Sequence, residues 1–189
     1  MEHYLEEPFT KDKVKEYKAG DTVYITGTVY TARDAAHKRI SEMMERGEKL
    51  PFDINNSIIY YVGPTPARPG KPIGSAGPTT SYRMDAYAPD FLDSGQLMMI
   101  GKGLRSEKVL DAALSNGAVY CCAVGGAAAL MAQSVKSSEL IAFENLGAEA
   151  VRKLYVDKMP VKVVFDTDGE NLYESGRKSY LEWNERGIL

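Results

Sequence analysis

The sequence predicts an α/β domain with a mixed sheet. Segments rich in β-branched and aromatic residues, such as Thr22–Val29 and Ser57–Val62, alternate with stretches of helical length such as 31–46. The alternation does not keep a strict βαβ repeat, so strands of both directions are expected in a layered α/β domain. The 189 residues, 44% of them hydrophobic, suit one domain with a substantial core, spanning 1–189 with 181–189 as a tail.

The elements follow in order. Residues 10–18 read as a short helix with Thr10 as N-cap and Asp12 in its first turn. Ala19-Gly20-Asp21 turns into the strand 22–29. Thr31-Ala32-Arg33-Asp34 has capping-box spacing, with Asp replacing the usual Glu, and opens a helix to about Arg46. Ala35, Ala36, Ile40, Met43 and Met44 form its packing face, and Gly47 ends it. After the strand 57–62, Gly63–Pro78 holds five prolines among sixteen residues, which leaves a long, stiff loop. A helix is expected from Thr80–Ser81 past Tyr87 to about Pro89, then a strand at 97–100, a helix over 106–116 and a buried strand at 118–124. Gly125-Gly126 turns into the small-residue segment 127–132. Strand 140–143, a helix over 148–155 and a strand at 160–166 complete the pattern, with 180–189 a mobile or partner-docked tail.

Composition narrows the function. The net charge of −3, from 23 basic and 26 acidic residues, argues against a general phosphate-backbone binder, so no nucleic-acid partner is expected. A small acidic ligand needs only a few local cations. No apolar run is long enough for a membrane span, and the acidic start Met1–Glu7 resembles no secretory signal, so a cytoplasmic location is expected. Cys121 and Cys122 are the only cysteines and lie within an apolar run; they read as buried structural thiols, too few for a cluster or a structural zinc. His3 and His37 are the only histidines, which excludes a multi-histidine metal site.

Four segments could carry chemistry. In Gly27–Arg39 a strand runs into a helix N-terminus, and Arg33 stands in the first turn, where a cation is more comfortable beside an anion; pairing with Asp34 or another acidic neighbour is the alternative. In Gly74–Asp85, small residues, three successive hydroxyls (Thr79, Thr80, Ser81) and Arg83 suit a carboxylate, unless the hydroxyls only cap a helix. In Ile100–Arg105, Gly101 and Gly103 bracket Lys102 between strand and helix; the segment lacks a phosphate-loop pattern, and Lys102 could be an ordinary exposed loop lysine. Gly125–Leu130 lacks a dinucleotide fingerprint and fits close helix–strand packing. Arg33, Arg83 and Lys102 all follow strands, so together they read as a cationic cradle suited to a dicarboxylate. No hydrolase triad accompanies it, since no Gly-x-Ser-x-Gly elbow is present.

Gly-Thr-Val-Tyr-Thr-Ala-Arg-Asp-Ala-Ala-His-Lys-Arg (27–39), Tyr-Val-Gly-Pro (61–64), Gly-Pro-Thr-Thr-Ser-Tyr-Arg-Met-Asp (77–85) and Gly-Lys-Gly (101–103) resemble the C-terminal domain, or β subunit, of class I iron–sulfur fumarate hydratases. The related L(+)-tartrate dehydratase β subunit carries similar motifs. The resemblance runs from about Pro8 to Tyr180. It implies a swivelling β/β/α three-layer domain and a hydro-lyase that interconverts fumarate and S-malate, with tartrate dehydration to oxaloacetate as the alternative. It also implies a partner α subunit that holds a [4Fe–4S] cluster, in an α2β2-type assembly, with no metal bound by this chain. By the family pattern Arg33, Arg83 and Lys102 hold substrate carboxylates and Thr79 is the base. A non-catalytic module for small-anion binding or assembly is the reading from a different class.

Overall fold

The computed structural model describes residues 1–123 and 128–185, and these described residues form seven strands and six α-helices. The α/β class and the mixed sheet are as expected. The first strand was not foreseen: β1 (Glu2–Glu6) pairs in parallel with β2 (Thr22–Thr31). Only Leu5 of β1 is buried, so this edge strand offers almost no hydrophobic alternation to read.

Helix α1 is a single turn, Lys11–Val14, shorter than the expected 10–18. Thr10 makes no side-chain capping bond. Past the turn the chain buries Tyr17, and the Lys18 and Ala19 N–H groups donate to the carboxylates of Asp21 and Asp166 instead of continuing a helix. Helix α2 (Asp34–Glu45) begins later than the capping box implied. Thr31 stays in β2, where its hydroxyl donates to the Ala150 carbonyl at 3.3 Å and accepts from the Arg152 N–H at 3.0 Å.

Strand β3 (Ile58–Tyr60) precedes the irregular segment 63–78, and Ser81–Met84 is one 3₁₀ turn. Helix α3 (Ala88–Asp93) starts where a helix was expected to stop. Pro89 lies in its first turn, where the missing N–H has no partner to lose. Then come β4 (Met98–Gly101), α4 (Glu107–Asn116), β5 (Val119–Cys122), α5 (Ala128–Ser134), β6 (Val135–Ala142), β7 (Val151–Phe165) and α6 (Leu172–Glu185). The helix expected over 148–155 is instead the end of a 3₁₀ segment (Glu144–Glu149) followed, from Val151, by the start of β7. Its Ala, Glu, Lys and Leu content suggests helix, but hydrogen-bonding partners on both sides, β2 and β6, override local preference. Gly125, Gly126 and Ala127 lie outside the described residues. Helix α6 takes in 180–185 of the segment assigned to a tail.

Strands β2, β3, β4 and β5 run parallel, and β7 is antiparallel to both β5 and β2, so the sheet closes on itself through β2–β7. Alternation along the central strands divides two cores. Ile58, Tyr60, Met98, Ile100, Val119 and Cys121 join the interior cluster with Val23, Ile25, Leu154 and Val161. Ile59, Tyr61, Met99 and Tyr120 face the other way and pack with Ile40, Phe91, Leu92 and Val109 from α2, α3 and α4. This two-sided burial explains why β3–β5 read as continuous apolar runs. Among the described residues no helix is long and apolar enough to cross a membrane.

Candidate functional site

Parallel strands deliver their C-terminal ends to one edge, and the predicted site residues follow those ends. Arg33 comes two residues after β2, and Lys102 immediately after β4. Backbone bonds knit the edge: Ala32 N–H to Tyr60 O (3.2 Å), Tyr61 N–H to Ile100 O (2.8 Å) and Thr79 N–H to Tyr61 O (2.6 Å). Thr80 pairs with Lys102 in an isolated parallel bridge. Thr79, Arg83 and Lys102 therefore sit on two loops that are bonded to each other, and Arg33 sits on the adjoining one.

Arg33 is the N-cap residue of α2, with extended backbone. Its Nη2 lies 3.1 Å from Glu149 Oε1 and its Nε 3.8 Å from Asp34 Oδ1. Gly63 makes room for it: a Cβ there would stand 3.0 Å from both Arg33 Nη1 and the Ala148 carbonyl oxygen. The acidic pairing weighed for Arg33 is present, but it extends further, because Arg83 Nη2 donates to Asp34 Oδ2 at 2.7 Å. One carboxylate thus ties the two arginines together. Arg33 Nε and Asp34 Oδ1 are both buried and carry no hydrogen bond, so the bridge is unsaturated. Against two arginines stand Asp34 and Glu149, and Lys102 adds an exposed ammonium with no acidic partner among the described residues. Such a surplus favours an anion.

The three hydroxyls do not cap a helix. Thr80 makes no side-chain capping bond at the 3₁₀ turn, and Thr79 is half-buried with its backbone fixed to Tyr61, just past β3. Ser81 is fully buried; its N–H donates to the Lys102 carbonyl at 2.9 Å and its Oγ accepts from the Lys102 N–H at 3.0 Å. The glycines around Lys102 acquire a reason here. A Cβ at Gly101 would lie 2.0 Å from Ser81 Oγ, and Gly103 has a φ of +81°.

Several supporting residues escaped the sequence reading. Arg105, whose side chain has no exposed surface, donates through Nε to Asp85 Oδ1 at 2.7 Å, with its guanidinium 5.3 Å from the ring centroids of both Tyr61 and Tyr120. The other Asp85 oxygen accepts the Ser106 N–H at 2.6 Å. This pair joins the Arg83 turn to the start of α4. Asp85 and Arg105 both lie inside segments already singled out, but twenty residues apart, and no local pattern couples them. Glu149 stood near the start of the helix expected over 148–155; it ends a 3₁₀ segment just before β7 and had no motif to single it out. His37 is buried against Tyr61 and Phe91, and burial pushes its pKa down to about 4, although its Nδ1–H bond to the Arg33 carbonyl works the other way. It is neutral near pH 7 and helps to hold the Arg33 backbone.

Iron–sulfur ligation does not fit this chain's described residues. Cys121 is buried and its thiol is pushed well above the ordinary range by that burial, and no group of three or more His, Cys, Asp or Glu converges. The site is also not a closed cavity. A cleft of about 350 Å³ lies between the 64–73 loop and Leu140, Glu144 and Arg152, and none of Arg33, Thr79, Arg83 or Lys102 lines it. Tyr82 and Leu104, next in sequence to Arg83 and Arg105, are each 65% exposed and border an open surface.

The model of the fumarase C-terminus matches residues 2–176, nearly the whole chain. The chain belongs to the fumarase C-terminus family. Three relatives illustrate its reach. A Methanocaldococcus jannaschii protein provisionally named L(+)-tartrate dehydratase subunit beta is 41% identical over 189 residues, covering 96% of this chain and 97% of that protein. Fumarate hydratase 2 of Leishmania major is 40% identical over 173 residues, 89% of this chain. The anaerobic class I fumarate hydratase of Escherichia coli is 38% identical over 165 residues, 86% of this chain. The chain spans only 30% of the length of each of these two fumarate hydratases. Within the family match lie Arg33, Thr79, Arg83 and Lys102, and α6 runs beyond its end.

Proposed function

We propose that this chain is the β subunit of a two-subunit [4Fe–4S] hydro-lyase that interconverts fumarate and S-malate. The observation that carries the proposal is the gathering of Arg33, Arg83 and Lys102 with Thr79 on bonded loops at one edge of the parallel strands. Two guanidiniums and an ammonium match the two carboxylates of such a substrate. The remaining length of the fused relatives, and the subunit name of the methanogen relative, support a partner that completes the open site. The exposed Tyr82 and Leu104 suit the rim of that contact.

In this reading the arginines and Lys102 hold the carboxylates. When malate loses the proton at C3, negative charge spreads onto the adjacent carboxylate, and these cations stabilise it. Thr79 takes that proton. A threonine hydroxyl serves as a base only under strong positive potential, which the unpaired Lys102 ammonium contributes. A cluster held by the partner would supply Lewis-acid chemistry for loss of the hydroxyl, and no described residue of this chain would ligate it. The same cradle fits tartrate, and the full-length match to a protein named as a tartrate dehydratase subunit favours that second substrate.

Anaerobic co-expression with the α subunit, followed by assays on fumarate, malate and L(+)-tartrate, tests the proposal. Hydration of fumarate is expected. Turnover of tartrate alone would select the second substrate, and dicarboxylate binding without turnover by the complete assembly would leave a binding module.

A further inference from the structure

The Ser81 hydroxyl belongs to a chain of donors whose direction can be worked out. Tyr120 Oη donates its only proton to the Gly103 carbonyl at 2.7 Å. Its 2.9 Å contact with Ser81 Oγ is therefore donated by Ser81, which in turn accepts from the Lys102 N–H at 3.0 Å. The sequence Lys102 N–H, Ser81 O–H, Tyr120 O–H, Gly103 C=O leaves the 101–103 loop and returns to it. It fixes the 101–102 peptide group before the Lys102 side chain and the 103–104 group beyond it, while the Ser81 N–H holds the 102–103 group between them through the Lys102 carbonyl at 2.9 Å. Burial makes the relay stiff: Ser81 and Tyr120 are at most 1% exposed, and burial pushes the Tyr120 phenol well above its ordinary range, so it stays protonated as a donor. Gly101 makes room for the Ser81 hydroxyl, since a Cβ there would lie 2.0 Å from Ser81 Oγ. Arg105 covers the Tyr120 ring.

We infer that Tyr120 and Ser81 are positioning residues that aim Lys102 at the substrate carboxylate while holding the Thr79–Arg83 loop at a set distance from it. The inference rests on the dicarboxylate reading of the site. Neither side chain touches the substrate: Ser81 and Tyr120 act through the backbone of residue 102, and Tyr120 stands on a strand, β5, that contributes no residue to the cradle.

The test uses the assembled enzyme with Tyr120→Phe, Ser81→Ala, Lys102→Met and the double variant Tyr120→Phe/Lys102→Met. Tyr120→Phe should raise KM roughly tenfold to a hundredfold, the scale of a misplacement of about 1 Å, with a smaller change in kcat. Ser81→Ala breaks the same relay one link earlier and should move KM the same way, which keeps the test alive if Tyr120→Phe does not assemble. If the relay works through Lys102, the double variant should be no worse than Lys102→Met. Amide exchange at Lys102 should speed up in Ser81→Ala, a readout independent of turnover. Unchanged KM in both relay variants, or effects that multiply in the double variant, would overturn the inference while the dicarboxylate reading stands. If Lys102→Met itself leaves KM unchanged, it is that reading of Lys102 which fails, and the positioning role fails with it.

Discussion

Asp34 Oδ2 accepts a hydrogen bond from Arg83 Nη2 at 2.7 Å, joining two residues 49 positions apart in the chain. The same carboxylate faces Arg33 Nε at 3.8 Å, so it sets the spacing of the two arginines before any ligand arrives. The pair is partly exposed, and its worth lies less in stability than in orientation, since exposed ion pairs contribute little to folding. A guanidinium that gives one N–H to Asp34 keeps four others for the carboxylate proposed as its ligand, a division that an ammonium cannot reproduce.

Arg83→Lys should therefore raise KM for the dicarboxylate and lower kcat/KM by roughly tenfold to a hundredfold in the assembled enzyme, the loss of about 1.4–3 kcal/mol expected for a charge-assisted pair. The urea midpoint should hardly move. Steady-state kinetics together with denaturation checks both halves, and wild-type kcat/KM would reduce Arg83 to a surface charge.

Thr79→Ala separates base from binder. Loss of a general base should lower kcat by roughly 10²–10⁴ and leave KM nearly unchanged. Loss of a mere carboxylate contact should raise KM and spare kcat. Solvent-deuterium exchange at malate C3 decides between them: exchange at the wild-type rate in Thr79→Ala would exclude this hydroxyl as the base.

Gly101→Ala places a Cβ against Ser81 Oγ, where neither β4 nor the buried serine can yield freely. Overpacking of this kind should cost about 1–3 kcal/mol in urea denaturation. It should also disturb the Lys102 loop. Combining it with Ser81→Gly, which removes the clashing hydroxyl, should recover stability but not KM.

His37 gives the fold a pH dependence with a definite sign. Its native pKa, about 4, lies below the ordinary value of 6.5, so the unfolded chain binds more protons between those limits. Stability should be complete above about pH 6.5 and decline as the pH falls toward 4, by about 1 kcal/mol between pH 7.5 and 5.5 and on the order of 3 kcal/mol in full. His37→Gln removes this titration, and it should flatten that part of the urea-midpoint profile. An identical slope in the variant would assign the acid sensitivity to other groups.

Much of the fold was legible because it is local. β2 to β5, α2 and α4 announce themselves through apolar runs, helical spacing and glycines after helix ends, and the Gly/Pro content of 63–78 excludes regular structure by removing donors and fixing φ. The failures share a cause. β1 and the first half of β7 have weak patterns of their own and form because β2 offers them hydrogen-bonding partners. Thr31 and Pro89 were misjudged because each has two possible roles, and tertiary contacts choose between them.

The site divides along the same line. Sequence alone determined the residue types offered to the proposed site, namely two arginines, a lysine and a run of hydroxyls on loops after strands, because these depend on charge, on donor geometry and on resemblance in short motifs. Tertiary structure decided everything that depends on distance. It placed Asp34 between Arg33 and Arg83, ran the Ser81–Tyr120 relay beneath Lys102 and put Arg105 between two tyrosines. The physical reason is that a hydrogen bond acts over about 3 Å in space, whereas these partners stand up to 49 residues apart along the chain, and only the parallel strands ending on a common edge bring them within reach.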